Sequence, residues 1–265
     1  MNIQNKVIIV TGGGNGLGRE IVLQLLRKNA WVVAVDINEL SLQETIKLAG
    51  EYQPLLTTFV TDITDRVAVN ELKIRVLDKY GTIGGIINNA GIIQPFKNFE
   101  AINFDIIDRV MNVNFGGMLN MTKTFLPYLL CVPEAHIVNI SSMGGFLPVA
   151  TQSIYGASKA AIKIFSEALT LELSESNVGV TTAFPGALFT HIKANSGLET
   201  TSGAGPEGHS SDVALSPEKA AAIIIQAIED NKRQIFIGKD AKSMNIMYKF
   251  MPEMAKKLIY RKMKR

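Results

Sequence analysis

Cysteine is almost absent from this 265-residue chain, which contains a single one, Cys131. One cysteine excludes an internal disulfide and a cysteine-based metal cluster, and its apolar neighbours predict a small buried side chain. The three histidines lie far apart without the spacing of metal ligands, so we predict no metal site. No apolar run approaches the ~20 residues that span a bilayer. These absences, and the strand-like run that follows the first six residues, favour a cytoplasmic protein without a signal peptide.

Positive charge is scarce over most of the chain and concentrated at its end. The formal net charge is +3, residues 246–265 contain seven Lys/Arg and one Glu, and the preceding 245 residues sum to −3. This balance argues against nucleic-acid binding. The basic, apolar end of the chain has three open interpretations: subunit or core packing, peripheral contact with a membrane surface, and disorder. Pro252 is expected to interrupt any single helix there.

Apolar runs of strand length alternate with amphipathic helical stretches along almost the whole chain. The predicted strands are 6–10, 30–35, 55–61, 85–88, 136–140, 179–183 and 234–237, and the predicted helices are 19–28, 40–49, 65–80, 104–126, 153–175 and 217–230. This alternation predicts an α/β fold, a single doubly wound domain with a mostly parallel sheet and helices on both faces. We expect the domain to cover residues 1–240, with a lid at about 186–215 and residues 241–265 as its extension. Thr64 is the predicted N-cap of the third helix.

Glycine clusters where the first predicted strand gives way to the first helix, in TGGGNGLG at residues 11–18. In that context a glycine-rich turn directs the N–H groups of the helix N-terminus toward a pyrophosphate. Glycines at such positions permit the tight turn, the close approach of the ligand and the packing of helix on strand. The loop residues predicted to bind a cofactor are Thr11, Gly12, Gly14, Asn15, Gly16, Leu17 and Gly18.

Asp36 ends the second predicted strand. A carboxylate there accepts hydrogen bonds from the ribose hydroxyls of adenosine and repels the 2′-phosphate of NADP. Neither Asn15 nor Ile37 supplies a cation that would hold that phosphate. The sequence therefore favours NAD, with NADP as the alternative. Asp62, after the third strand, is either an acceptor for the adenine amino group or simply a turn aspartate.

Tyr155 and Lys159 are four residues apart in a predicted helix, so they lie on one face within reach of each other. A nearby ammonium group favours the phenolate, so we expect the pKa of Tyr155 to lie below its usual value of ~10. Such a tyrosine exchanges a proton with a substrate oxygen near neutral pH. A hydroxyl of Ser141 or Ser142 would hydrogen-bond the same oxygen. Beside a hydride carrier, these groups suffice to interconvert an alcohol and a carbonyl.

Six motifs occur in order along the chain. They are TGxxxGxG at 11–18, Asn-Asn-Ala-Gly at 88–91, Asn114, Ser142, Tyr155-x-x-x-Lys159 and Pro-Gly at 185–186. Together they resemble the short-chain dehydrogenase/reductase family, whose NAD(P)-binding domain is of the Rossmann type, over about residues 3–240. The resemblance implies an oxidoreductase that acts on CH–OH donors.

The resemblance also implies a role for each matching residue. Tyr155 is the general acid/base, and Ser142 rather than Ser141 holds the substrate oxygen, because the family's serine lies thirteen residues before its tyrosine. Lys159 lowers the tyrosine pKa and binds the nicotinamide ribose, while Asn114 kinks its helix and holds a water for proton relay. The further cofactor residues implied are Ile37, Asp62, Ile63, Asn89, Ala90, Gly91, Pro185, Gly186, Leu188 and Thr190.

The expected substrate pocket is largely apolar. Its predicted residues are Ser142, Met143, Phe146, Tyr155 and Ile93, which favour a hydrophobic secondary alcohol or ketone. The resemblance implies a homodimer or homotetramer. Two alternatives remain open: an NADP-dependent carbonyl reductase of the 3-oxoacyl type, and a catalytically silent regulator or scaffold that senses a dinucleotide.

Overall fold

Seven parallel strands form one sheet, in the order β3-β2-β1-β4-β5-β6-β7, in a computed structural model that describes residues 1–189, 196 and 214–263. The strands are β1 (Val7–Thr11), β2 (Trp31–Asp36), β3 (Leu56–Val60), β4 (Gly85–Asn88), β5 (Ala135–Ile140), β6 (Val178–Pro185) and β7 (Gln234–Ile237). The helices are α1 (Gly16–Arg27), α2 (Glu39–Ala49), α3 (Arg66–Tyr80), α4 (Phe104–Met111), α5 (Met118–Leu129), α6 (Ser153–Glu172), α7 (Pro217–Glu229), α8 (Lys239–Phe250) and α9 (Pro252–Met263). The predicted α/β fold with a parallel sheet is confirmed.

The central strands are buried on both faces, which explains their unbroken apolar sequences. In β1, Ile8 and Val10 belong to the core cluster that includes α1 and α7. Val7 and Ile9, which alternate with them, belong to the cluster on the other face with α3, α5 and α6. The helices therefore form two layers around the sheet, and the polar ends of the strands remain available for a site.

The helix predicted at 104–126 is not continuous. A π-helical turn at Asn112–Gly117 separates α4 from α5 and contains Asn114. A Cβ on Gly117 would lie 2.6 Å from the side chain of Ile63, so this turn lets the neighbouring loop pack closely. Such turns are rare and often mark functional positions.

Two smaller predictions are wrong. The N-cap of α3 is Asp65, whose Oδ1 accepts from the N–H of Val67 at 2.8 Å, whereas Thr64 belongs to the preceding turn. Cys131 is exposed rather than buried. Cys131 follows the end of α5, at the surface where the chain turns back toward β5. The hydrophobicity of its neighbours in sequence therefore does not predict whether it is buried.

The end of the chain forms two helices, α8 and α9, which we call the C-terminal helix pair. Pro252 is the first residue of α9, which confirms the predicted break. One side of the pair packs against Leu147 through Met244, Ala255 and Ile259. Across the described residues, no helix is long and apolar enough to cross a membrane. The predicted lid falls mainly on residues 190–195 and 197–213, which lie outside the described residues.

Candidate active site

The carboxyl ends of β1 to β6 open on one cavity of about 690 Å³. The order of strands reverses between β1 and β4, and a crevice forms at such a point in a doubly wound sheet. The predicted site residues that line the cavity are Gly12, Asn15, Gly16, Leu17, Asp36, Ile37, Asp62, Ile63, Asn89, Ala90, Gly91, Ile93, Ser142, Tyr155, Lys159, Pro185, Gly186 and Leu188. Residues from the ends of six strands therefore meet at one place.

Thr11 and Asn89 join β1 to β4 beside this crevice. Oγ1 of Thr11 accepts hydrogen bonds from the N–H groups of Asn89 and Ala90, at 3.0 and 3.1 Å. Nδ2 of Asn89 donates to the carbonyl of Thr11 at 3.0 Å. Thr11 thus supports the loop from beneath the cavity. Deeper in the sheet, Nδ2 of Asn88 donates to Oδ1 of Asn139 at 2.8 Å, which links β4 to β5.

The glycine-rich loop is shaped by positions at which a side chain would not fit. Gly12 has a φ of +66°, in the left-handed region that favours glycine. A Cβ on Gly18 would overlap the carbonyl oxygen of Gly12. Oδ1 of Asn15 accepts from the N–H of Gly16 at 2.7 Å and caps α1. The start of this helix therefore faces the cavity, in a backbone cradle that fits the pyrophosphate of a dinucleotide.

Asp36 is held in one orientation by the backbone. Its Oδ2 accepts from the N–H of Gly14 at 2.9 Å, and its Oδ1 accepts from the N–H of Asn38 at 3.0 Å. A Cβ on Gly14 would lie 2.8 Å from Oδ2, so the absence of a side chain here permits the hydrogen bond to Asp36. Gly14 itself does not line the cavity. Each carboxylate oxygen has a second acceptor position, and Asp36 can therefore accept ribose hydroxyls while it holds the loop.

Arg19 is a cation near Asp36 that the sequence analysis missed. Its Nε donates to the carbonyl of Gly14 at 3.0 Å, and its guanidinium pairs with Glu44 at 2.7 Å. Glu44 offsets the charge that would otherwise favour a 2′-phosphate. The closeness of Arg19 to the glycine-rich loop is visible in the sequence, but its pairing with a residue of α2 is not.

Of three further residues predicted to bind the cofactor, Asp62 and Leu188 line the cavity. Oδ1 of Asp62 accepts from both the N–H and the hydroxyl of Thr64 at 2.8 Å, so Asp62 builds a turn while it also lines the cavity. Leu188 forms an isolated parallel bridge with Leu215, which holds its backbone at the cavity edge. Thr190 lies outside the described residues.

The two adjacent serines have different surroundings. Oγ of Ser141 donates to the carbonyl of Lys159 at 2.8 Å, so this hydroxyl anchors α6. Oγ of Ser142 accepts from the N–H of Gly144 at 3.1 Å and lies close enough to the phenol of Tyr155 to lower its pKa. The serine chosen by the family spacing is thus the one beside Tyr155.

Burial governs the titration of Tyr155 and Lys159. It raises the pKa of Tyr155 above its ordinary value, and the hydrogen bond with Ser142 acts in the opposite direction. Burial also lowers the pKa of Lys159 from 10.5 to about 8. Nζ of Lys159 lies 5.8 Å from the centre of the Tyr155 ring and donates to the carbonyl of Ile140 at 3.0 Å. The expected lowering of the Tyr155 pKa is therefore wrong, because desolvation outweighs the effect of Ser142.

Asn114 does not line the cavity itself but lies behind Ile92, which does. Its Oδ1 accepts from the N–H of Ile92 at 2.8 Å, and its Nδ2 donates to the carbonyl of Ile92 at 3.0 Å and to Oγ of Ser158 at 2.9 Å. A Cβ on Gly91 would lie 3.2 Å from both Oδ1 of Asn114 and Nζ of Lys159. Asn114 therefore fixes the backbone after β4 against α6, close to the lysine.

Gln94 is a second residue that the sequence analysis missed. It is fully buried, and its Oε1 accepts from the N–H groups of Ile154 and Tyr155 at 2.8 and 3.0 Å. Its Nε2 donates to the carbonyl of Thr151 at 3.1 Å. Gln94 thus satisfies the start of α6 from a loop some sixty residues earlier in the chain, and no local pattern marks that contact.

Two predicted substrate residues lie elsewhere. Met143 packs against the C-terminal helix pair. The ring of Phe146 lies 5.7 and 5.6 Å from those of Phe184 and Phe236 and lines a second cavity of about 790 Å³ beside α9. The structure places both side chains outside the main cavity, contrary to the prediction. Their hydrophobicity serves packing against β6, β7 and the helix pair.

Comparisons with known proteins agree with this geometry. The sequence model of the short chain dehydrogenase family matches residues 6–201. SadH of Mycobacterium tuberculosis, a protein assigned as an oxidoreductase, is 31% identical over 263 residues, which cover 97% of this chain and 95% of SadH. The 3-oxoacyl-[acyl-carrier-protein] reductase FabG of Thermotoga maritima is 32% identical over 190 residues, which cover 72% of this chain and 77% of FabG.

The fold has close counterparts among solved structures. A short chain dehydrogenase/reductase from Burkholderia phymatum, solved in complex with NAD, superimposes with a TM-score of 0.81 at 22% identity, covering 89% of this chain and 90% of that one. The family match and the shared fold support a nicotinamide dinucleotide as the cofactor, without separating NAD from NADP. The chain belongs to the short-chain dehydrogenase/reductase family of oxidoreductases.

Proposed function

We propose that this protein transfers a hydride between NAD(H) and a hydrophobic secondary alcohol or ketone, with Tyr155 as the general acid/base. The observation that carries the proposal is the convergence of Ser142, Tyr155 and Lys159 on the cavity that also contains Asp36. Family membership supports oxidoreductase activity.

The proton is transferred at the hydroxyl of Tyr155. In the oxidative direction this oxygen accepts the proton of the substrate alcohol, and in the reductive direction it returns that proton to the carbonyl oxygen. Ser142, which lies beside the same phenol, holds and polarises the substrate oxygen. The ammonium group of Lys159 favours the phenolate electrostatically and binds the nicotinamide ribose, and Asn114 positions the loop after β4 against α6. The bound cofactor supplies the hydride carrier.

NAD is proposed over NADP because of the negative charge at the end of β2. Asp36 lines the cavity, and Arg19, which donates to the carbonyl of Gly14, is paired with Glu44 at 2.7 Å. A 2′-phosphate would meet the carboxylate without an available cation beside it. Near Tyr155, Ile92, Ile93 and Leu188 line the cavity, and their apolar side chains favour a hydrophobic substrate. A homodimer or homotetramer remains part of the proposal.

One alternative within the same class is an NADP-dependent carbonyl reductase that acts on 3-oxoacyl groups. Its support is the relative FabG, whose name gives that activity for that protein. The other alternative is a dinucleotide sensor without catalysis. The presence of Ser142, Tyr155 and Lys159 together at the cavity argues against it, because a sensor does not require a proton-transfer group.

Two measurements test the proposal. NADH and NADPH are titrated against the protein by nicotinamide fluorescence, and we expect tighter binding of NADH. Tighter binding of NADPH would favour the reductase alternative. Secondary alcohols of increasing chain length are then assayed with NAD for the wild type and Tyr155→Phe. We expect the variant to lose turnover while it keeps its affinity for NADH, and retained turnover would exclude Tyr155 as the proton-transfer group.

A further inference from the structure

The C-terminal helix pair has an inner side that packs in part against the core and in part borders the second cavity. The buried residues on this side are Ala241, Met244, Ala255 and Ile259. All of them except Ala241 form a hydrophobic cluster with Leu147. Leu147 lies a few residues beyond Ser142, so the pair is anchored to the segment that follows the serine of the site. The interpretation as core packing therefore holds for this inner side alone.

The outer side of the pair is apolar and exposed. Ile246 and Phe250, one turn apart on α8, are 60% and 80% exposed. Met251 at the corner and Met254 and Leu258, one turn apart on α9, are 49%, 48% and 36% exposed. Adjacent exposed side chains of this size mark an interaction surface more often than scattered single residues do. We call these five residues the outer apolar patch.

The same segment of the chain is strongly basic. Residues 239–265 contain nine Lys/Arg and two acidic residues, a net charge of +7, while the rest of the chain sums to −4. The acidic pair is already engaged, since Asp240 accepts from the N–H of Ala187 at 2.7 Å and Glu253 pairs with Lys256 at 2.7 Å. The surface therefore combines large apolar side chains with a concentrated positive charge.

We propose that the outer apolar patch, together with the basic residues of the same segment, docks this protein on an anionic phospholipid surface. Apolar side chains flanked by Lys and Arg insert at the boundary between headgroups and acyl chains, and the positive charge attracts anionic lipid. A second copy of the chain fits this surface less well than anionic lipid does. A symmetric contact between two copies would bring together two segments that each carry a net charge of +7. An uncharged bilayer would leave the basic residues without a partner.

Docking in this way would bring the active-site segment close to the lipid. The inner side of the helix pair contacts Leu147, five residues after Ser142. The proposal does not depend on the proposed reaction, because the patch and the charge are present whether or not Tyr155 transfers a proton.

The test is flotation of the full-length protein with vesicles, without cofactor or substrate. We expect binding to vesicles of phosphatidylglycerol and phosphatidylcholine, little binding to phosphatidylcholine alone, and loss of binding as salt is raised. The double variant Phe250→Ser/Met254→Ser should bind about tenfold more weakly. The matched control is Val67→Ser/Ile74→Ser, which removes two apolar side chains that are 67% and 47% exposed on α3 and should bind as the wild type does.

Charge is tested separately. Lys242→Gln/Lys249→Gln, at two exposed positions of α8, should weaken binding to anionic vesicles by about tenfold or more, whereas Lys123→Gln/Lys219→Gln, with the same change in net charge, should not. Absence of flotation with anionic vesicles overturns the proposal, and so does equal loss in the control variants. Sedimentation velocity provides the last outcome: if the patch variant dissociates an oligomer and no vesicle binding occurs, the occupant is a second copy of the chain instead.

Discussion

The backbone N–H of Tyr155 donates to Oε1 of Gln94 at 3.0 Å, and the N–H of Ile154 donates to the same oxygen at 2.8 Å. A buried side chain from the loop after β4 thus satisfies two of the free N–H groups at the start of α6. The position of the phenol in the cavity depends on where this helix begins. Gln94 is therefore a positioning residue for the proposed general acid/base.

Replacement of Gln94 by Ala should leave both N–H groups without their acceptor. We expect a loss of about 2 kcal/mol in the free energy of unfolding and a fall in kcat of about tenfold, with the Kd for NADH nearly unchanged. Gln94→Glu retains an acceptor at a helix N-terminus, where negative charge is favourable, but loses the donor to the carbonyl of Thr151, so it should restore only part of kcat. If Gln94→Ala lowers stability while kcat stays at the wild-type value, the role of Gln94 is structural only.

The same contact shows where sequence reasoning stops. Strand ends, the glycine-rich loop and the helix that carries Tyr155 follow from local patterns, because apolar periodicity and motif spacing are local properties. Gln94 has no such pattern, since its partners lie about sixty residues away. Its apolar character and its closeness to Ser142 in sequence place Phe146 in the predicted substrate pocket, whereas in the structure its ring packs on Phe184. Hydrophobicity alone does not distinguish a pocket wall from a core.

The pKa of Tyr155 gives a second example. The spacing to Lys159 correctly brings the two side chains together, with 5.8 Å from the ammonium to the ring centre. The direction of the pKa depends on the balance between this charge and burial, and burial becomes visible only once the fold is known. Spacing indicates which groups meet, whereas the dielectric around them decides their protonation.

Lys159 should lower the stability of the folded protein at neutral pH. Its pKa is 10.5 ordinarily and about 8 in the folded chain, so the unfolded chain binds more protons between these values and stability rises with pH across that window. Below pH 8 the full penalty of about 3 kcal/mol is present. Lys159→Met removes it but also removes the hydrogen bond to Ile140, which is worth about 1 kcal/mol.

We therefore expect Lys159→Met to raise the free energy of unfolding by about 2 kcal/mol at pH 7 and to leave it nearly unchanged at pH 10, while turnover falls by at least about a hundredfold. Urea unfolding at both pH values measures the first effect. Lys163→Met is the control, because that lysine is partly exposed in a pair with Glu167 and should change stability by less than about 1 kcal/mol. A variant at Lys159 that is less stable than the wild type at pH 7 would contradict this account.

Asp240 connects the C-terminal helix pair to the cofactor side of the cavity. Its Oδ2 accepts from the N–H of Ala187 at 2.7 Å, in the turn whose neighbours Gly186 and Leu188 line the cavity. Asp240→Ala should loosen this turn, and we expect the Kd for NADH to rise about fivefold, as the loss of one charge-assisted hydrogen bond predicts. Asp240→Asn keeps an acceptor oxygen and should bind NADH nearly as well as the wild type.

The control for this prediction is Asp230→Ala, at the exposed end of α7, where the carboxylate pairs with Lys232 on the surface. Fluorescence titration with NADH compares the three variants. Unchanged affinity in Asp240→Ala would mean that the turn is held by the strand contacts of Gly186 and Leu215 alone.

His136 should make the protein less stable in acid. Burial, followed by the charge of the N-terminal amine, lowers its pKa from 6.5 to about 4, while Glu134 opposes the shift. The unfolded chain therefore binds the extra proton first as pH falls, and stability is lost between pH 6.5 and 4, by up to about 3 kcal/mol.

His136→Gln tests this cause. Oγ1 of Thr181 donates to the carbonyl of Lys232, so it accepts the hydrogen bond from Nε2 of His136, at 2.7 Å. A glutamine amide can donate in the same way without titrating. Urea unfolding at pH 7 and pH 4.5 should show a smaller loss of stability for the variant than for the wild type, by about 2 kcal/mol. Equal losses in the two proteins would place the acid sensitivity in the carboxylates, because His136 would then bind its proton equally in the folded and unfolded chains.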